Sequence, residues 1–180
     1  MPSSLFVLVV AGAVLLALGA LGLAAIAAWR SPDEPGATPS LGATSLALVG
    51  GLLGLLDLCA VPVALVSFLF GALFQNDDAV GAALLAAVSS LGLAPALVAS
   101  GVCLVRQRAR WLVVAVCAWV VVHHLALAWA LLQMSSEVEP ELADFAWPAI
   151  CGAISVAYPL LVALVLTLRR GSSTPSLAGS

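Results

Sequence analysis

The chain contains no lysine, and only 8% of its 180 residues are charged. A water-soluble domain carries about 25% charged residues. The chain is instead 63% hydrophobic, and a domain this small has too much surface for its volume to hide that much apolar area from water. Lipid must cover it. A basic surface laced with aromatic residues is also missing, so nucleic acid is excluded as a partner. The four cysteines, Cys59, Cys103, Cys117 and Cys151, never stand in C-x-x-C spacing, which leaves zinc and thioredoxin-like redox chemistry without a motif. Each stands alone in an apolar run and reads as a small buried hydrophobe. No glycine-rich phosphate loop, nucleophile elbow or metalloprotease helix occurs.

What is present is long apolar runs. About 20 residues cross the hydrocarbon core as a helix. Five runs qualify, at 5–29, 45–74, 79–105, 111–134 and 145–168. None alternates polar with apolar as barrel strands do. The expected fold is all-α, an integral membrane bundle of about five transmembrane helices forming a single domain over 1–170. Between the runs lie a Pro- and Gly-rich loop (Arg30–Thr44), a polar turn (Gln75–Asp78), a basic turn (Arg106–Arg110) and an acidic loop (Ser135–Asp144). Residues 171–180 are small and polar and are expected to form a disordered cytoplasmic tail.

Arginine sets the orientation, because short cytoplasmic loops collect basic residues. Arg30, Arg106, Arg108, Arg110, Arg169 and Arg170 all fall on one side if the N-terminus is outside and the C-terminus cytoplasmic. A cleaved signal peptide ending near Ala25-Ile26-Ala27 is the competing reading of the first run. It is disfavoured by an n-region without a basic residue and by the length of the run. Cleavage would also place Arg30 outside. The Ala-, Leu- and Gly-rich composition with Arg as the sole strong base points to a bacterial cytoplasmic membrane.

Lipid tails are as apolar as Leu, so helices associate in a bilayer through close backbone approach between small residues. Gly50-x-x-x-Gly54 in the second run is the clearest such face. Ala13-x-x-x-Ala17, Ala20-x-x-x-Ala24, Ala82-x-x-x-Ala86 and Ala96-x-x-x-Ser100 are weaker ones. Pro62, Pro95 and Pro159 each stand inside a run, where proline removes a backbone donor. Trp29, Trp111 and Trp147 stand at run ends, as interfacial aromatic belts require.

Ionisable residues within a span are costly and mark functional sites by default. Asp57, His123, His124 and Tyr158 are the candidates. At 1.5 Å per residue, counting from the run ends puts each about 18 Å into its helix. They therefore share a level near the midplane, beside Ser89 and Ser90. An ionised aspartate alone in hydrocarbon is unfavourable by a few kcal/mol or more, so Asp57 either holds its proton or pairs with a histidine. Neighbouring helix positions point about 100° apart, which predicts that only one of His123 and His124 faces inward.

Three functions suit this pattern. The first is a non-enzymatic accessory or structural subunit of a membrane complex, partnered by the bilayer and by other membrane subunits or its own copies. The second is a small proton-coupled transporter or channel built on a midplane Asp–His pair, since histidine exchanges protons near neutral pH. The third is a haem-binding electron-transfer subunit, because midplane histidines serve as axial ligands. Adjacent histidines cannot hold opposite faces of one haem, and no third histidine exists in the chain. A metal held by Asp57, His123 and a cysteine has no supporting motif.

Overall fold

A computed structural model describes residues 3–30, 40–73, 77–135 and 146–172. It contains five helices: α1 (Ser3–Arg30), α2 (Leu41–Leu73), α3 (Asp77–Arg106), α4 (Arg110–Ser135) and α5 (Ala146–Ser172). No strand occurs among the described residues. Four of the helices are long and apolar enough to cross a membrane, namely α2, α3, α4 and α5, and the described part of α1 adds a shorter apolar stretch, Val14–Arg30. The chain is a multi-pass membrane protein with an all-helical bundle. Much of the Pro-rich loop, the acidic loop and the tail from 173 onward lie outside the described residues.

The helices begin and end where backbone chemistry dictates. α2 starts four residues before the expected Ser45, because Ser40 caps it. The Ser40 hydroxyl accepts the Ala43 N–H at 3.3 Å, satisfying one of the donors left over at a helix start. α3 closes with a Schellman motif. The Arg108 N–H bonds the Cys103 carbonyl at 3.0 Å and the Gln107 N–H bonds that of Leu104 at 3.4 Å. Gln107 adopts a φ of 54° in the position that glycine usually fills, and Ala109 follows at 50°. The turn is thus three residues long, and α4 begins at once. Pro62, Pro95 and Pro159 all lie within helices.

The packing is a four-helix ring with one helix outside it. α2 packs on α3, α3 on α4, α4 on α5, and α5 closes back onto α2. α1 lies against α4 and α5. Among the described residues the diagonal helices α2 and α4 have no Cα atoms within 8 Å of each other. The ring therefore encloses a centre that only side chains can bridge. The lipid face is apolar, with Leu48, Leu52 and Leu55 of α2, Leu85 of α3, Val122 of α4 and Leu168 of α5 all well exposed.

Small residues make the α2–α3 seam. A Cβ placed on Gly54 would stand 3.2 Å from both the Cα and the carbonyl oxygen of Ala94. One on Gly101 would meet Ala47 Cβ at 3.0 Å. Backbones this close gain dispersion contacts that leucine-faced helices cannot make. α1 turns a stripe of alanines inward, with Ala17, Ala20, Ala24, Ala27 and Ala28 all buried.

All six arginines belong to one end of the bundle. Trp29 at the end of α1 meets Trp111 at the start of α4 edge to face, with centroids 6.1 Å apart. The C-terminal halves of α1 and α5 line a shared groove, in which Arg30 and Thr167 both take part. Arg106, Arg108 and Arg110 flank the α3–α4 turn, and Arg169 and Arg170 occupy the last turns of α5.

Candidate functional site

The ring's centre holds an acid and two imidazoles. Asp57 projects from α2, and His123 and His124 project from the diagonal helix α4. All three are buried, at 7%, 4% and 2% exposure, so water does not screen them. Asp57 Oδ1 lies 3.6 Å from His124 Nε2 and 3.9 Å from His123 Nε2. The other carboxylate oxygen, Oδ2, is buried and has no hydrogen-bond partner among the described residues. These separations lie beyond the usual hydrogen-bond range. The groups face each other at ion-pair distance without being locked.

Both histidines face inward, contrary to the expectation that only one would. α4 is the most enclosed of the four spanning helices, with α1, α3 and α5 all against it. Two adjacent positions therefore both look into protein. The rings meet edge to face at 87°, centroids 5.2 Å apart, and so reach one oxygen from two directions.

Each imidazole is fixed by its far nitrogen. His124 Nδ1 donates to the Val120 carbonyl at 3.0 Å. A carbonyl only accepts, so this nitrogen carries a hydrogen. Neutral His124 then turns the lone pair of Nε2 toward Asp57. Carboxylate and imidazole would repel across that gap with lone pairs alone. One proton between them yields an overall neutral pair, either acid with imidazole or carboxylate with imidazolium.

His123 is held differently. Its Nδ1 lies 2.8 Å from Ser89 Oγ and its Nε2 lies 3.4 Å from Ser90 Oγ, both hydroxyls of α3. Ser89 also accepts the Trp119 indole N–H at 3.1 Å. Gly92 leaves the space for that indole, since a Cβ there would come 2.7 Å from Trp119 Cη2. The sequence places Ser89 and Ser90 near this level but does not single out Trp119. The available signal was that Ser89 and Gly92 lie three residues apart, on one face of α3.

Tyr158 does not join the centre. Its hydroxyl lies 3.5 Å from Ser100 Oγ, and Ser100 donates its own hydrogen to the Leu97 carbonyl at 2.9 Å. Tyr158 is therefore the donor to Ser100. Gly50 makes room for it, because a Cβ on Gly50 would stand 3.2 Å from the tyrosine oxygen. From Gly50 to Asp57 is about 10.5 Å along α2 at 1.5 Å per residue, so Tyr158 belongs to a separate layer nearer the arginine end. The level estimate fails because α2 begins at Leu41, which puts Asp57 about 24 Å from its start.

Among the described residues no group of three or more His, Cys, Asp or Glu side chains has the arrangement to hold a metal ion. Haem ligation through Nε2 would require Asp57 to give way, since both Nε2 atoms face its carboxyl group. The four cysteines are all free thiols. The fold and the centre together define a class: a polytopic helical membrane protein with a buried acid–imidazole centre. No protein-family model, curated protein or solved structure matches the chain.

Proposed function

We propose that the protein handles protons within the bilayer, as a small proton-coupled transporter or channel centred on Asp57, His123 and His124. A single observation carries this reading. Two imidazole Nε2 atoms converge on one carboxylate oxygen, while the other oxygen of the same buried group has no hydrogen-bond partner among the described residues. Polar groups buried only to fix helix register are satisfied, because an unsatisfied one weakens the fold by about 1–3 kcal/mol. Asp57 retains an unsatisfied oxygen in a place where one histidine would have sufficed as glue. In this reading the membrane is a bacterial cytoplasmic membrane, with the arginine end of the bundle in the cytoplasm.

The test is proton uptake by proteoliposomes under a potassium diffusion potential, followed with an internal pH dye. Wild-type protein is expected to raise uptake above empty vesicles, and Asp57→Asn to abolish the increase. Equal uptake by wild type and Asp57→Asn would overturn the proposal. An accessory-subunit role draws on a different observation, the wide lipid exposure of α2, the least enclosed of the four spanning helices. Co-purification of a partner in fixed ratio, with no proton flux, would select it.

A further inference from the structure

We propose that His123, working with the hydroxyl of Ser89, is the route by which protons reach and leave the centre, and that His124 only holds the shared proton. The inference rests on the proton-handling reading above and divides the labour within it.

The two imidazoles differ in what each nitrogen faces. A ring that passes a proton through itself gains one at one nitrogen and releases another from the opposite nitrogen. His124 cannot do this. Its Nδ1 hydrogen is committed to the Val120 carbonyl, which cannot supply a hydrogen in return. Only its Nε2, opposite Asp57, gains or loses a proton. His123 has no such commitment. A hydroxyl both donates and accepts, and His123 Nδ1 meets that of Ser89 at 2.8 Å while its Nε2 meets that of Ser90 at 3.4 Å and Asp57 Oδ1 at 3.9 Å.

Trp119 completes the arrangement. Its indole N–H occupies one lone pair of Ser89 Oγ. The Ser89 hydrogen stays free to turn toward Nδ1 or away from it, and the second lone pair stays free to accept from Nδ1. In the outward step Asp57 gives its acid proton to His123 Nε2. His123 gives its Nδ1 hydrogen to Ser89 Oγ, and Ser89 gives its own hydrogen to a water molecule. Asp57 is left as carboxylate, His123 is neutral with the hydrogen on Nε2, and the water has become hydronium. The proton number is unchanged throughout. Among the described residues the titratable neighbours of Asp57 are the two histidines on α4 and, on α5, the Cys151 thiol. Among the described residues, α3 brings the hydroxyls of Ser89 and Ser90 to this centre.

Two measurements on the full chain test the proposal. In proteoliposomes, Ser89→Ala is expected to lower proton uptake roughly a hundredfold or more, the scale of losing a positioned proton-transfer group. Ser89→Thr, which keeps the hydroxyl, is expected to retain most of it. In detergent, nitrogen-15 NMR of histidine-labelled protein is expected to show neutral His124 with its hydrogen on Nδ1 alone. His123 is expected to show both tautomers, and Ser89→Ala to collapse them to one. Unchanged uptake in Ser89→Ala, or His124 found with a bare Nδ1, would overturn the division of labour while leaving proton handling intact. No uptake by wild-type protein would overturn both. A folding defect in Ser89→Ala is recognised by the loss of the wild-type histidine spectrum and by failure of Ser89→Thr to restore it, and the tautomer assignment in wild-type protein then decides.

Discussion

The protein buries two polar layers about two helical turns apart, and they are finished to different degrees. In the layer nearer the arginine end, Tyr158 donates to Ser100 and Ser100 donates to Leu97, so every hydrogen has an acceptor. In the layer at Asp57, one carboxylate oxygen lacks a hydrogen-bond partner among the described residues and two imidazoles face the other at more than hydrogen-bond distance. The first layer is neutral and closed. The second is ionisable and open. Hydrocarbon penalises an unmatched polar atom wherever it lies, so the contrast separates a group that fastens helices from one retained for chemistry.

Four substitutions break or sharpen that contrast. The largest effect is expected at the apolar seam that supports both layers. Gly54→Val drives a side chain into the Ala94 backbone and should lower stability by about 3 kcal/mol, read as a fall in the thermal unfolding midpoint in detergent. A loss below about 1 kcal/mol would mean that α2 and α3 slide apart freely. Asp57→Asn comes next. Its amide N–H can donate to His124 Nε2, so the variant should gain about 1 kcal/mol while losing proton uptake, the usual exchange of activity for stability. A destabilised Asp57→Asn would place the open layer among the fasteners. Tyr158→Phe removes one donor from the closed layer and should lower stability by about 0.6 kcal/mol, the typical interhelical hydrogen bond in a membrane, with proton uptake unchanged. The smallest effect is at the basic turn, where Gln107→Gly relieves a left-handed backbone and should raise stability by about 0.5 kcal/mol, read in the same melts.

The bundle was readable from the sequence because hydrocarbon acts on composition. Uninterrupted apolar runs, four clear breaks and a one-sided set of arginines suffice for that. The helix bounds were readable to within a few residues, and the misses trace to local hydrogen bonds. Ser40 extends α2 backward because its side chain caps the helix, a feature invisible to hydrophobicity. Asp57 and the histidines stood out as polar residues in an apolar stretch. Their mutual geometry did not, because it depends on which helices sit diagonally and how fully α4 is wrapped. Tyr158 was placed at the wrong level for a related reason. Depth was counted from the edges of apolar runs, and the helices extend past those edges by different amounts. Trp119 does not stand out in the sequence because its place depends on Gly92, whose missing side chain says nothing until α3 and α4 are brought together.

The position of α1 carries a consequence for how the protein is made. Its neighbours are α4 and α5, neither of which exists when α1 leaves the ribosome. α2 and α3 can zip together as a hairpin as soon as both are inserted. The first helix must instead wait in the bilayer while the chain from Arg30 to Ser135, the end of α4, is translated, about 5–21 s at roughly 5–20 residues per second. Throughout that wait its alanine stripe is open to any passing helix, and the helices that bring it home are made only after the α2–α3 hairpin.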